Sequence, residues 1–116
     1  MSKRKYLVLA RTQRTGDQTR PSPEQMQQMF AAYKAWMKKF QDDILDTGDK
    51  LKSDGRVLTA AGVADGPFVE AKELIGGYMI ISAENYDGAV KVVQACPAMQ
   101  APGATMEIRE MAGAKM

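Results

Sequence analysis

The residues best suited to chemistry lie between Asp65 and Tyr78. Asp65 stands in the run Asp65-Gly66-Pro67-Phe68, Glu70 and Glu73 follow, and Gly76-Gly77-Tyr78 closes the stretch. Asp65 is the candidate acid or base, aided by Glu70 or Glu73, with Tyr78 as hydrogen-bonding partner or proton donor. That chemistry needs burial or a second carboxylate to raise one acid toward neutral pH. Arg11, Lys52 and Lys72 are the cations that would hold a carboxylate substrate. The competing reading is a hairpin corner whose carboxylates are solvated or cap backbone N–H groups, with Tyr78 lining a pocket or an interface. Asp65 then accepts backbone N–H bonds in a tight turn, Phe68 packs in the core, and Gly76-Gly77 admits another backbone or a ligand at close range.

Composition narrows the choices. The 116 residues suffice for a single domain with one core, taken here as 1–116. There is no histidine and one cysteine, Cys96. The usual general base near neutral pH is therefore missing, a zinc site would need carboxylates almost alone, and no intrachain disulfide is open to it. No metal and no cofactor is expected. Sixteen Lys and Arg against fourteen Asp and Glu leave a net charge of +2, too balanced to argue for nucleic acid. Basic and aromatic residues do not interleave along any strand either, so a nucleic-acid partner is not expected. Nothing resembles a signal peptide, and no apolar run approaches the ~20 residues that span a bilayer. The expected location is the cytoplasm.

The elements that must position these residues read as follows. Lys5–Arg11 is a strand with apolar residues on both faces. Thr12–Pro21 is a polar loop carrying Arg14 and Arg20. Ser22 caps a helix, Pro23 takes its first position, and Gln25 completes a capping box. Met26, Met29, Phe30, Tyr33, Trp36, Met37, Phe40 and Ile44 then mark one apolar face, and the helix is expected to end near Thr47-Gly48. Lys50-Leu51-Lys52 begins a strand interrupted at Ser53-Asp54-Gly55, and Arg56–Ala60 is extended, ending at Gly62. A short strand at Phe68–Glu70 and a longer one at Gly77–Ser82 follow the Asp-Gly-Pro turn. Asn85 caps a second helix stopped by Pro97, and Thr105–Met111 alternates as a last strand with one wet face.

This order is the split βαβ plan of an α+β fold: an antiparallel sheet with two helices on one face. The doubly apolar strands indicate that the other face is covered too, and back-to-back pairing of two sheets would do this. A homodimer is therefore expected. Cys96 follows the apolar phase of the second helix and reads as core.

Asp65-Gly66-Pro67-Phe68-Val69-Glu70, Lys72-Glu73, Gly76-Gly77-Tyr78 and Cys96-Pro97 together resemble the YCII-related proteins, in particular their DGPF subgroup. The likeness runs from the first strand to the last. It implies a dimeric α+β barrel built on a ferredoxin-like subunit, and it implies little about chemistry. Some YCII-like proteins are held to use a histidine–aspartate pair, and without a histidine that pair does not carry over. Two functions follow. One is a dimeric module binding a small molecule near Asp65, with Arg11, Lys52, Phe68, Glu70, Gly76, Gly77 and Tyr78 as ligand-binding candidates. The other is an enzyme using Asp65 on a small organic acid or lactone-like substrate. The resemblance also allows a regulatory role in a transcription or signalling context.

Overall fold

The computed structural model describes residues 3–13, 22–52, 54–66, 73–100 and 103–113. The first strand, β1 (Arg4–Gln13), lies between two antiparallel neighbours, β5 (Glu73–Ala83) and β6 (Thr105–Glu110). A short strand, β2 (Ile44–Asp46), joins the far side of β5, which gives the order β2-β5-β1-β6. Helix α1 (Pro23–Lys39) connects β1 to β2, and helix α2 (Tyr86–Gln94) with a short 3-10 turn at Pro97–Gln100 connects β5 to β6. This is the α+β, ferredoxin-like arrangement, with two helices and a four-stranded antiparallel sheet. One hairpin, β3 (Gly55–Thr59) and β4 (Gly62–Gly66), is inserted between its second and third strands as a separate two-stranded sheet.

Local chemistry explains both helix starts. Ser22 accepts a hydrogen bond from the Gln25 backbone while the Gln25 side chain accepts one from the Ser22 N–H, so the capping box forms as expected. Asn85 accepts from Gly88 N in the same way at α2.

Alternation along the central strands sorts the side chains. Tyr6 and Val8 face the helices opposite Ile81 and Met79, and meet Trp36, Ala89, Val92, Val93 and Cys96 in the core. Trp36 is buried against α2, and its Nε1 donates to the Val92 carbonyl at 2.9 Å. That bond satisfies a polar group that burial would otherwise strand. Cys96 is fully buried and free, in the core position expected of it.

Three boundaries differ from the expectations above. The helix stops at Lys39, with Phe40 as cap, because Gln41-Asp42-Asp43 turn the chain: Asp43 N and Ile44 N both donate to the Phe40 carbonyl. Ile44 therefore keeps the helical spacing yet belongs to β2. Gly48, at φ +66°, serves the loop after β2 and does not cap a helix. Gly62 opens the return strand of a hairpin whose turn Thr59 braces, accepting from Ala61 N and donating to the Gly62 carbonyl. Asp65 and Gly66 consequently close β4, as register partners of Arg56 and Gly55. The expected short strand at Phe68–Glu70 lies outside the described residues.

Only half of the α1 stripe is core. Tyr33, Trp36, Met37 and Phe40 pack inward, whereas Met26, Met29 and Phe30 are exposed. Seventeen residues make a helix of roughly 25 Å, and its N-terminal half overhangs the packed layer.

Candidate functional site

Among the sequence-predicted site residues, Arg11, Gly76, Gly77, Tyr78 and Lys52 come together at one end of the sheet. Arg11 is near the carboxyl end of β1, Gly77 opposes Ala10, and Tyr78 opposes Leu9. Ile75 opposes Arg11, so Gly76 is the extra residue of a bulge. Bulges bend a strand and re-aim its side chains, and this one lies beside Arg11. The returning chain seals the bulge: Leu51 N donates to the Gly76 carbonyl at 2.8 Å, and Lys50 bridges to Gly77. Lys52, exposed, follows directly.

The glycine pair is occupied by the protein's own main chain. A Cβ at Gly77 would sit 3.2 Å from the Asp49 carbonyl oxygen, and Gly77 is buried. Of the two uses expected for this pair, close backbone approach is the one visible. The neighbouring Gly48 is tighter still, because a Cβ there would fall 1.7 Å from the Tyr78 carbonyl oxygen.

Leu7, Leu9, Arg11, Tyr78 and Ile80 occupy the sheet face turned away from the helices, and no described element covers it. Tyr78 is 37% exposed there. β6 adds Thr105, Glu107 and Arg109 to the same face through the pairs Arg11–Thr105, Leu9–Glu107 and Leu7–Arg109. Arg11 reaches diagonally to Glu107 in a short ion pair, and Arg109 approaches the other Glu107 oxygen at 3.9 Å. The hydrogen bond from Arg11, with the charges of Arg11 and Arg109, holds the Glu107 carboxyl below the usual range. Glu107 is thus fixed as an anion and is a poor proton donor at neutral pH.

Glu107 and the Leu7, Leu9, Ile80 patch were not singled out from sequence. Their signal was present in the wet alternation of the last strand and the doubly apolar first strand. Assigning them to one site requires knowing that β6 pairs with β1. Asp65 lies on the inserted hairpin, and Phe68 and Glu70 lie outside the described residues. Among the described residues, no group of three carboxylates or thiols is placed to hold a metal. No described helix is long and apolar enough to cross a membrane.

A ferredoxin-like fold with a bulged central strand and a partly apolar sheet face that no described element covers, carrying a fixed ion pair, is the class that fold and site define. The YCII-related domain matches residues 5–112, nearly the whole chain, and the protein belongs to the YCII-related family. No curated protein matches the sequence.

Proposed function

We propose that the protein acts as a homodimer that binds a small organic molecule on the open sheet face, at the end marked by Arg11 and Tyr78. The observation that carries this reading is the mixture on that face. Leu7, Leu9, Tyr78 and Ile80 form an apolar strip beside the Arg11–Glu107–Arg109 cluster. Small-molecule sites combine an apolar lining with a few placed polar groups in this way. Two such sheets packed face to face over the Leu7, Leu9 and Ile80 strip and splayed apart at the Arg11–Tyr78 end would turn a flat face into a cleft. A two-fold pairing suits a surface that carries both signs of charge, since each copy then offers what the other needs. Glu107 held as an anion and the lack of any histidine favour binding over proton transfer. Within the family, Asp65-Gly66-Pro67-Phe68 supports the DGPF subgroup, and the buried free thiol of Cys96 supports a reducing, cytoplasmic setting.

The test is thermal unfolding of wild type, Tyr78→Phe and Asp65→Asn with a panel of small carboxylates and lactones. Binding raises the wild-type midpoint, and loss of that rise in Tyr78→Phe places the ligand on the face. Turnover of a bound compound that disappears in a folded Asp65→Asn protein would favour the enzyme reading. No binding, with Asp65→Asn merely less stable, would assign Asp65 to architecture and overturn the site.

A further inference from the structure

Among the described residues, the β3–β4 hairpin forms a sheet of its own, apart from the four-stranded one. Leu58 and Val63 are direct cross-strand partners, on one face, and they are 77% and 66% exposed. β3 and β4 contact each other extensively and no other described element to a comparable extent. A two-stranded hairpin alone is marginal in water and needs a further strand or a helix to cover it. Yet this one is pre-shaped, with Thr59 bracing its turn from both sides.

We propose that the hairpin is an intersubunit arm. Its Leu58–Val63 face packs on a second copy of this chain, and there it walls the open-sheet site that a single chain leaves flat. The proposal rests on the homodimer reading above and adds the element that completes its site.

Area argues for the second copy. The open face spans β5, β1 and β6 over the six paired residues Tyr6–Arg11, with the three residues of β2 at one edge, or about 340 Å² from standard strand spacings. A stable interface needs about 600–1,000 Å² per partner, so the sheet face alone falls short. Each face of the arm, with two five-residue strands, offers about 170 Å² more. Face and arm together, about 510 Å² of flat strand area per copy, approach the lower bound of that range. Position argues for the site. The arm leaves the body just after Leu51, whose N–H is held by Gly76, at the end where Arg11 and Tyr78 lie. In a two-fold dimer each copy extends one such arm. The exposed Met26-Met29-Phe30 face of α1 is the alternative seat within one chain, but the arm makes no extensive contact with α1.

The experiment uses the full chain with a benzophenone amino acid in place of Leu58. Isotope-labelled and unlabelled copies are mixed and irradiated, and the cross-linked peptides are read by mass spectrometry. Mixed-isotope cross-links from position 58 to the 7–11 or 75–80 segments are expected. Cross-links confined to one chain, or absent, overturn the proposal. Light scattering on Leu58→Ser/Val63→Ser and on Leu9→Arg, each checked for folding by circular dichroism, separates the two readings. The double variant is expected to raise the dimer dissociation constant at least tenfold. If Leu9→Arg breaks the dimer and the double variant leaves it unchanged, the arm is wrong and the face-to-face dimer stands. If the wild type is monomeric at 100 µM or so, both readings fall.

Discussion

Gly48 and Gly77 flank the same stretch of backbone, and the structure makes opposite demands of them. Gly48 has φ +66°, a conformation that costs an L-residue about 1–2 kcal/mol. An alanine Cβ there would lie 1.7 Å from the Tyr78 carbonyl oxygen and 3.2 Å from Met79 Cα. No rotamer relieves a clash with backbone, so the 46–50 segment must move. That movement also removes the Gly48 N to Asp46 Oδ1 hydrogen bond, worth about 1 kcal/mol. Gly48→Ala is therefore expected to cost about 3–4 kcal/mol and lower the midpoint by roughly 10–15 °C. Gly77 is not in the left-handed region, and its Cβ would meet the Asp49 carbonyl oxygen at 3.2 Å. That oxygen accepts a long 3.3 Å bond from Tyr78 N and can yield a few tenths of an ångström. Reduced freedom of the unfolded chain returns about 0.4–1 kcal/mol, so Gly77→Ala should stay within about 1 kcal/mol of wild type. Urea denaturation followed by circular dichroism measures both. A Gly77→Ala loss equal to or above that of Gly48→Ala would refute this account of how the loop is seated on β5.

Two further outcomes test the core. Trp36→Phe leaves the Val92 carbonyl buried without its donor, and should cost about 2–4 kcal/mol from the stranded acceptor and the lost ring area; a urea-derived loss under 1 kcal/mol would show that the Nε1 bond does not tie α1 to α2. Burial, reinforced by the hydrogen bond to Cys96, pushes the Tyr33 hydroxyl up to about 12. With a folded value above the unfolded ~10, this stability is complete below pH 10 and lost as pH rises through 12. Tyr33→Phe should flatten that decline in urea midpoints, and parallel curves for the two proteins would contradict it.

What was legible in the chain was local. The Ser22–Gln25 capping box, Asn85 before α2 and the alternation of Thr105–Glu110 each announce themselves within a few residues, and each formed. The family likeness, carried by an equally local motif, also held. Errors arose where a local signal had two physical outcomes. Ile44 continues the period of α1, but three polar residues after Phe40 turned the chain first. Gly62 ends one extended run and starts another, and Ala60-Ala61 lacks the Asn-Gly signature that would have announced a hairpin. The Met26–Phe40 stripe identifies an amphipathic helix, yet periodicity carries no information on how much of its length has a sheet beneath it.

The site lay deeper because its parts are joined only by strand order. Arg11 and Glu107 are ninety-six positions apart, and they meet because β6 chooses the free side of β1. Leu7 and Leu9 read as buried under any topology; their lying on an uncovered face depends on both helices taking the opposite side. The same logic governs the arm. Leu58 and Val63 satisfy strand propensity whether or not a third layer exists, and only the absence of a supporting element within the described chain makes their exposure informative. A residue that is apolar, paired and uncovered in one copy marks where the physics of a single chain is incomplete. In this protein the open sheet face and the hairpin arm are two such places, and both adjoin Tyr78 through the segment that Gly48 and Gly77 hold in place.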